Sequence, residues 1–272
     1  MCYNLNIKYE NGYGSMKIFA IGDVVGSAAL AYLSERLWKF REQNRIDFVV
    51  ANGENASEIH GISSSQAKEL IACGVDLITL GNHGFANKEV YNFLCDAREI
   101  IRPANFLPFL PGSGYTIIDA CGYRVLGINV MGNVFMAQSL ACPFDTVDKI
   151  LKREAGNYDF SILDIHAEST SEKLALARYF DGRINIIFGT HTHVQTADEQ
   201  VLPRGSGYIT DLGMSGPVDS IIGADAATVI ERMRTQIPCS MKIAGGAVKV
   251  YGAIFELDTS SGCVVSVERV SF

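Results

Sequence analysis

The chain has 272 residues, 48% of them hydrophobic, and a formal net charge of −7 with a pI near 5.3. This length and composition allow a substantial buried core in one large domain, or at most two. The acidic balance argues against a protein that coats nucleic acid, which needs a basic surface, but bound divalent cations would still let the chain hold an anionic substrate.

The start of the chain and its cysteines predict the domain organisation and the cellular compartment. Residues 1–15 lack the apolar centre of a signal peptide, so we expect an N-terminal extension there and a single domain over residues 16–272. Seven scattered cysteines without Cys-x-x-Cys spacing are typical of a reducing compartment, which predicts a cytoplasmic protein. No apolar stretch approaches the roughly 20 residues that cross a bilayer, so we expect no membrane partner.

Asp23 lies in the turn that follows the first predicted strand. Residues 16–21 form an apolar run that predicts this strand, and a helix capped by Ser27 is predicted to continue to about residue 44. A metal ligand and a simple cap of backbone amides are equally good interpretations of Asp23 alone. The G-x-G-x-x-G spacing is missing, so a dinucleotide site fits poorly.

Glu54 and Asn55 follow the second predicted strand, over residues 47–51. A carboxylate after an apolar run is costly to bury without a cation or a donor nearby. Its two oxygens could bridge two divalent ions, and Asn55 offers a carbonyl oxygen to one of them. The alternative is a turn that simply tolerates polar residues.

Asn82 and His83 follow a third predicted strand, over residues 75–80. Asn82 is ambiguous, because asparagine is both a metal ligand and a common turn residue. We favour a general-acid role for His83, because cleavage of a P–O bond needs a proton for the departing alkoxide, although a hydrogen-bonded loop histidine is the alternative. His60 follows no strand, and we interpret it as a solvated loop histidine. Residues 63–66 predict a capping box that opens a helix.

The middle of the chain contains fewer candidate site residues. A helix is expected over about residues 87–97, two strands over 115–130 and irregular structure over 131–145. Arg102 suits either a phosphate contact or a surface or cap position.

His166 follows a strand predicted over residues 158–165, and we interpret it as a metal ligand. The next helix begins with capping-box spacing from Ser169 to Glu172. This spacing explains Glu168 and Glu172 without catalysis, so we expect both to be structural.

His191 and His193 follow the apolar run 184–188 and a glycine. Two imidazoles one residue apart at a strand end can enter one pocket or approach two different ions. Asp211 fits either a carboxylate that orients a ligand histidine or a turn cap. A helix over about 224–235 and strands over 248–257 and 264–270 complete the predicted domain.

The candidate ligands all lie at or just past predicted strand ends. In an open α/β sheet the loops at the carboxyl ends of parallel strands meet in one crevice, so these side chains would converge. A mixed set of nitrogen and oxygen donors suits Fe, Mn and Zn alike. We therefore interpret the crevice as a site for two metal ions.

The segments IGDVVG, NGEN, LGNH, DIHAE and GTHTHVQT resemble, in order and spacing, those of the calcineurin-like metallophosphoesterases. Longer matches (RPAN, HAESTSEK, GTHTHVQTAD and the ITD-GM-GP loop) resemble the YmdB-like branch from Met16 almost to the C-terminus. The Asp-x-His of the general superfamily lacks its histidine after Asp23, as is usual in this branch. Residues 84–86 read Gly-Phe-Ala where relatives typically have Thr-Trp-Asp.

The resemblance implies a role for each matching residue. One ion would be held by Asp23, Glu54, Asn55 and His193. A second ion, bridged by Glu54, would be held by Asn82, His166 and His191. His83 matches the proton donor of the family. The implied cofactors are two divalent or mixed-valence ions, with Fe or Mn preferred and Zn as an alternative.

The resemblance also implies a fold and an activity. The fold is α/β, a four-layer αββα metallophosphoesterase sandwich with two mixed β-sheets flanked by helices. The activity is hydrolysis of phosphodiesters, notably 2′,3′-cyclic nucleotides, by a metal-activated hydroxide with a histidine as general acid. The implied partner is a small phosphodiester or cyclic nucleotide, and the family implies a link to RNA turnover. The resemblance leaves open whether the chain forms a homo-oligomer.

Two other functions remain alternatives. One is a phosphomonoesterase of the same fold. The other is a non-catalytic regulatory protein that binds metal and nucleotide, which the altered residues 84–86 leave open.

Overall fold

Two six-stranded sheets pack face to face in the computed structural model, which describes residues 14–57, 60–138 and 140–272. The strands are β1 (Ser15–Ile21), β2 (Asp23–Val24), β3 (Phe48–Asn52), β4 (Leu77–Thr79), β5 (Ile100–Ile101), β6 (Tyr115–Ala120), β7 (Tyr123–Met131), β8 (Phe160–His166), β9 (Ile186–Thr190), β10 (Gln200–Val201), β11 (Gly207–Ile209), β12 (Met214–Pro217), β13 (Val248–Lys249), β14 (Tyr251–Asp258) and β15 (Val264–Ser271). The helices are α1 (Gly26–Asn44), α2 (Ser64–Ala72), α3 (Val90–Asp96), α4 (Pro143–Arg153), α5 (Thr170–Phe180) and α6 (Ala226–Thr235).

Both large sheets are mixed. The first has the strand order β15-β14-β1-β3-β4-β5, in which β1, β3, β4 and β5 run parallel and β14 is antiparallel to both of its neighbours. The second has the order β10-β11-β9-β8-β7-β6, with a parallel centre and an antiparallel strand at each edge. The carboxyl ends of both parallel centres supply the loops that carry the candidate ligands.

The apolar core is divided by the two sheets into three parts. Phe48 and Phe255, both fully buried, lie in the part between the sheets. Leu33 of α1 and Leu70 of α2 pack on the outer face of the first sheet, and Leu176 of α5 packs on the outer face of the second. The four layers confirm the predicted α/β sandwich.

A third, three-stranded sheet (β13-β12-β2) lies where the chain leaves β1. It pairs Met214 with Asp23, so the loop after β11 lies directly against the first acidic turn. A Cβ atom at Gly22 would be 2.0 Å from the carbonyl oxygen of Gly213, so only glycine allows this approach.

Several boundaries differ from the sequence-based prediction. The N-cap of α1 is Val25, which makes no side-chain cap, whereas the predicted capping box at Ser63 is present at α2. Helix α4 occupies the end of the stretch predicted to be irregular, and the two-residue strand β5 was not predicted, because it is too short to show periodicity. The predicted extension over residues 1–15 falls largely on residues 1–13, which lie outside the described residues, and the single domain stays a prediction. Among the described helices, none combines the length and the apolar character needed to cross a membrane.

A buried ion pair ties α5 to the loop after β11. Lys173 and Asp211 are both fully buried, and Lys173 Nζ donates to Asp211 Oδ2 at 2.7 Å. The same oxygen accepts from the backbone N and the Oγ1 of Thr192, at 3.2 and 2.8 Å. The pair therefore anchors the turn that carries His191 and His193.

We expect Lys173→Met to lower the free energy of unfolding by about 3–5 kcal/mol, because it leaves the Asp211 carboxylate buried without its cation. Urea denaturation monitored by circular dichroism measures the change. The matched control is Arg183→Met, which removes the partly exposed ion pair with Asp148 and should cost at most about 1 kcal/mol. Equal losses in the two variants would contradict a special role for the buried pair.

Candidate metal centre

The structure brings all eight predicted site residues to one crevice at the seam between the two large sheets. Those from the first half of the chain are Asp23 on β2, Glu54 and Asn55 after β3, and Asn82 and His83 after β4. Those from the second half are His166 at the end of β8, and His191 and His193 after β9. Strands of both sheets thus end at the same place, as the strand-end pattern predicted.

Glu54, His166 and His191 form the tightest group, in which one donor atom of each lies within 4.8 Å of the others. Glu54 Oε1 is 3.1 Å from His166 Nε2, and His166 Nε2 is 3.1 Å from His191 Nδ1. Asn82 adds its Oδ1 at 2.9 Å from the same His166 nitrogen. Four side chains thus direct a nitrogen or an oxygen to one point.

The backbone at Gly81 allows this convergence. A Cβ atom there would lie 2.3 Å from His166 Nε2 and 2.5 Å from Glu54 Oε2. Any other residue would therefore displace two of the candidate ligands.

Asp23, Asn55 and His193 form a second group beside the first. His193 Nε2 is 3.6 Å from Asp23 Oδ1 and 3.4 Å from Asn55 Nδ2. Asp23 Oδ2 accepts from the backbone N of His191 at 3.1 Å. Glu54 lies between the groups, since its Oε1 also accepts from Asn55 Nδ2 at 3.3 Å.

Hydrogen bonds select the ring nitrogen that each histidine directs inward. Since Thr190 Oγ1 donates to Asp164 at 2.8 Å, it accepts from His166 Nδ1 at 2.9 Å, and His166 Nε2 faces the cluster. His193 Nδ1 donates to the carbonyl of Ile222 at 3.0 Å, which directs His193 Nε2 toward Asp23. Such outer hydrogen bonds fix the orientation of metal-binding imidazoles.

Charge and burial set the protonation of the cluster. Burial would raise the pKa of the Glu54 carboxyl, but the adjacent His166 and His83 imidazoles hold it well below its usual value. Burial lowers the pKa of His191 to about 4, and the charge of His166 acts in the same direction. For His193 burial also opposes protonation, yet the Asp23 carboxylate raises the pKa to about 9. A proton on His193 thus compensates Asp23, and a cation would serve the same purpose.

The residues fit a metal centre on two observations. First, Asp23 Oδ1 is buried and has no hydrogen-bond partner within the described part of the chain. A buried carboxylate oxygen without a hydrogen bond is unfavourable, and a cation bound between Asp23 and His193 would compensate it. Second, the donors are carboxylate, amide and imidazole, the set preferred by Fe, Mn and Zn. Which residue binds which ion stays a prediction.

His83 lies at the mouth of the crevice rather than in its floor. Its backbone N donates to Glu54 Oε2 at 2.9 Å, and its Nδ1 donates to Asn55 Oδ1 at 3.0 Å. The His83 side chain is 29% exposed, and the ring of His60 stacks on it at a centroid distance of 3.8 Å. The exposed His60 therefore belongs to the site, which its loop position in the sequence did not indicate.

Sequence reasoning missed a polar network behind His166. Asp164, fully buried, accepts from Thr79 Oγ1 at 2.5 Å and from Thr190 Oγ1, and it lies 3.4 Å from Asn52 Nδ2. Burial raises the pKa of the Asp164 carboxyl to about 6. The available signal was a lone aspartate inside an apolar strand, where an unpaired carboxylate is costly.

The structure also gives the roles of Glu168, Arg102 and Glu172. Glu168, expected to be structural, lines the crevice with its Oε2 3.2 Å from His191 Nε2. Arg102 is buried and donates to the carbonyls of Pro103 and Pro111, so it braces a loop and is not a surface residue. Glu172 is structural as expected, but it accepts from the backbone of residues 133–134 rather than completing a capping box.

The crevice opens into a cavity of about 720 Å³. Its inner side contains Glu54, Asn55, His83, His191 and His193. This volume is in the range of small-molecule sites, so the cavity can hold a ligand next to the cluster.

Comparison with known proteins shows the family of the chain. The chain matches the family model described as YmdB-like protein over residues 19–270. The 2′,3′-cyclic-nucleotide 2′-phosphodiesterase of Bacillus subtilis (strain 168) is 40% identical over 94% of this chain and 96% of its own length.

Two solved structures are similar along nearly the whole chain. A hypothetical protein from Thermus thermophilus is 37% identical, with a TM-score of 0.89 over 94% of this chain and 99% of that one. A novel phosphatase from Mycoplasma pneumoniae is 30% identical, also with a TM-score of 0.89, over 96% of this chain and 94% of that one. The chain therefore belongs to the YmdB-like family, as its motifs predicted.

Proposed function

We propose that the protein is a metal-dependent phosphodiesterase that uses two ions and hydrolyses 2′,3′-cyclic nucleotides. The observation that carries the proposal is the convergence of buried carboxylates, imidazoles and amides on one crevice that opens into a ligand-sized cavity. That the chain is a hydrolase of phosphoester bonds follows from its family, whose members include a phosphodiesterase and a phosphatase. The cyclic nucleotide is supported by the 40% identical relative.

The two groups of donors supply the two sets of ligands. We assign Asp23, Glu54, Asn55 and His193 to one ion. We assign Glu54, Asn82, His166 and His191 to the other. The bound ions would activate water and stabilise the negative charge that develops on the phosphoryl group. The assignment rests on the distances within each group and on the position of Glu54 between them.

His83 is the residue we assign to proton transfer. Its Nδ1 donates to Asn55 Oδ1, so the proton available for transfer is the one that Nε2 carries when the ring is an imidazolium. The oxygen of the attacking water forms a new bond to phosphorus, and that water loses a proton to solvent. As the P–O bond to the ribose breaks, its electron pair stays on the ribose oxygen, and that oxygen takes the proton from His83 Nε2. The product is a nucleoside phosphomonoester with a free ribose hydroxyl.

The cellular setting is part of the same proposal. Cyclic 2′,3′-phosphates form when RNA is cleaved by attack of its 2′-hydroxyl, which supports a link to RNA turnover. The cysteines of the described residues are all free, five of them exposed, and free exposed thiols suit a cytoplasmic enzyme.

We expect Asn82→Ala to reduce bound metal from two ions per chain to about one and to lower kcat at least about 100-fold, because a donor to one position is lost. Elemental analysis and turnover of 2′,3′-cyclic AMP measure the two effects. The control is Asn157→Ala, which removes an exposed amide outside the crevice and should leave the metal content and kcat unchanged. Full activity after removal of metal by a chelator would contradict the proposal, and faster turnover of monoesters than of diesters would favour a phosphomonoesterase.

We expect His83→Gln to keep both ions and to lower kcat for 2′,3′-cyclic AMP by about 10²–10⁴-fold, the usual contribution of a general acid. The loss should be much smaller for bis-p-nitrophenyl phosphate, because p-nitrophenolate leaves without a proton. Parallel kinetics on the two substrates measure the difference. An equal loss on both would show that His83 does not protonate the leaving group.

A further inference from the structure

The cavity beside the metal centre has a second wall that none of the catalytic assignments uses. This wall is built from the loop before α6, one face of α6 and the segment that follows the helix. We call it the α6 wall and define it by Ile222, Val229, Arg232, Met233, Met241 and Ile243. Since a phosphate group needs only the inner side of a cavity this large, the α6 wall faces another part of the ligand.

The backbone of the α6 wall is held in a fixed shape. Ile221 and Ala224 form a bridge, and Ala224 pairs in turn with Ile243. The turn between them places Ile222 at φ 48°, which is rare for a β-branched residue. Strain of this kind persists only where the surroundings enforce it, and it is concentrated at functional sites.

A hydrogen bond connects the α6 wall to the candidate metal ligands. The carbonyl oxygen of Ile222 accepts from His193 Nδ1 at 3.0 Å, while the Ile222 side chain, 57% exposed, lines the cavity. Ile222 therefore contacts the cluster through its carbonyl and the cavity through its side chain, so a ligand in the cavity can contact both the wall and the cluster.

One helical face completes the wall. Val229, Arg232 and Met233 follow the i, i+3, i+4 spacing of a single face of α6, and they line the cavity together with Gln236, the residue that caps the helix. Met233 is 73% exposed although it is apolar. Methionine packs against ligands of irregular shape, and an exposed apolar side chain inside a site gains most from a ligand that covers it.

The chemistry of the α6 wall favours a flat, apolar group. The residues that define it are aliphatic or thioether apart from Arg232, and the neighbouring lining residues Gln236 and Lys242 are polar. The acidic lining residues, Glu54 and Glu168, lie on the metal side. A sugar or glycerol would leave most of its hydroxyls unpaired against the aliphatic side chains. A nucleobase would pack its faces on the aliphatic groups and attract the guanidinium of Arg232 to its π system.

We propose that the α6 wall is the binding site of the nucleobase, so that it selects nucleotide esters over base-free phosphodiesters. This inference rests on the proposed phosphodiesterase function, whose catalytic residues lie on the other side of the cavity.

The test compares two cyclic diesters that share the reacting ring, 2′,3′-cyclic AMP and glycerol 1,2-cyclic phosphate, which has no base. Met233→Ser should raise KM for 2′,3′-cyclic AMP by roughly five- to tenfold, as expected for a lost apolar contact, with kcat within about twofold. Its kinetics with the glycerol ester should not change. The matched control is Ile230→Ser, on the same helix and 49% exposed, which does not line the cavity and should alter neither substrate.

An equal change in both substrates, or no change in either, would overturn the assignment of the wall. If the native holoenzyme hydrolysed neither diester, the proposed activity would fail, but base binding would still be tested by calorimetric titration with 2′,3′-cyclic AMP. The dissociation constant should be roughly five- to tenfold higher for Met233→Ser than for Ile230→Ser. Equal constants would overturn the inference independently of turnover.

Discussion

The burial of two carboxylates at the seam between the sheets is the constraint on which the rest of the structure depends. Asp23 and Glu54 are almost completely inaccessible to water, and a buried charge without partners is strongly unfavourable. The chain surrounds them with imidazoles and amides, which can donate hydrogen bonds to the carboxylates or share a cation with them. The arrangement that offsets the cost of burying these two carboxylates also brings the candidate metal ligands together.

Backbone conformation helps to hold the candidate ligands together. His191 and His193 both have positive φ, at 98° and 64°, which is uncommon for residues other than glycine. The Lys173–Asp211 pair holds the intervening Thr192, so the energy of a buried ion pair opposes the strain of the turn. Asp211, which the sequence left between an orienting residue and a turn cap, thus acts on the turn and not on a histidine ring.

Much of the site could be predicted because its residues follow a local rule. Strands predicted from β-branched runs end in a small set of polar residues, and parallel sheets bring strand ends together. The rest depends on contacts between residues far apart in the chain. The sequence shows Asp164 as a lone aspartate in an apolar strand, but its partners Thr79 and Thr190 are visible only in the structure. His60 is recognisable only when its ring is seen on His83. The α6 wall was missed for the same reason, since its helix has an ordinary amphipathic sequence.

Anomalous X-ray diffraction from crystals of protein purified without chelators tests the central claim most directly. The account predicts two metal peaks per chain inside the crevice. One should lie among Asp23, Asn55 and His193 and the other among Asn82, His166 and His191, with Glu54 between them. A single peak, peaks at other surfaces, or no peak in protein that hydrolyses 2′,3′-cyclic AMP would contradict it.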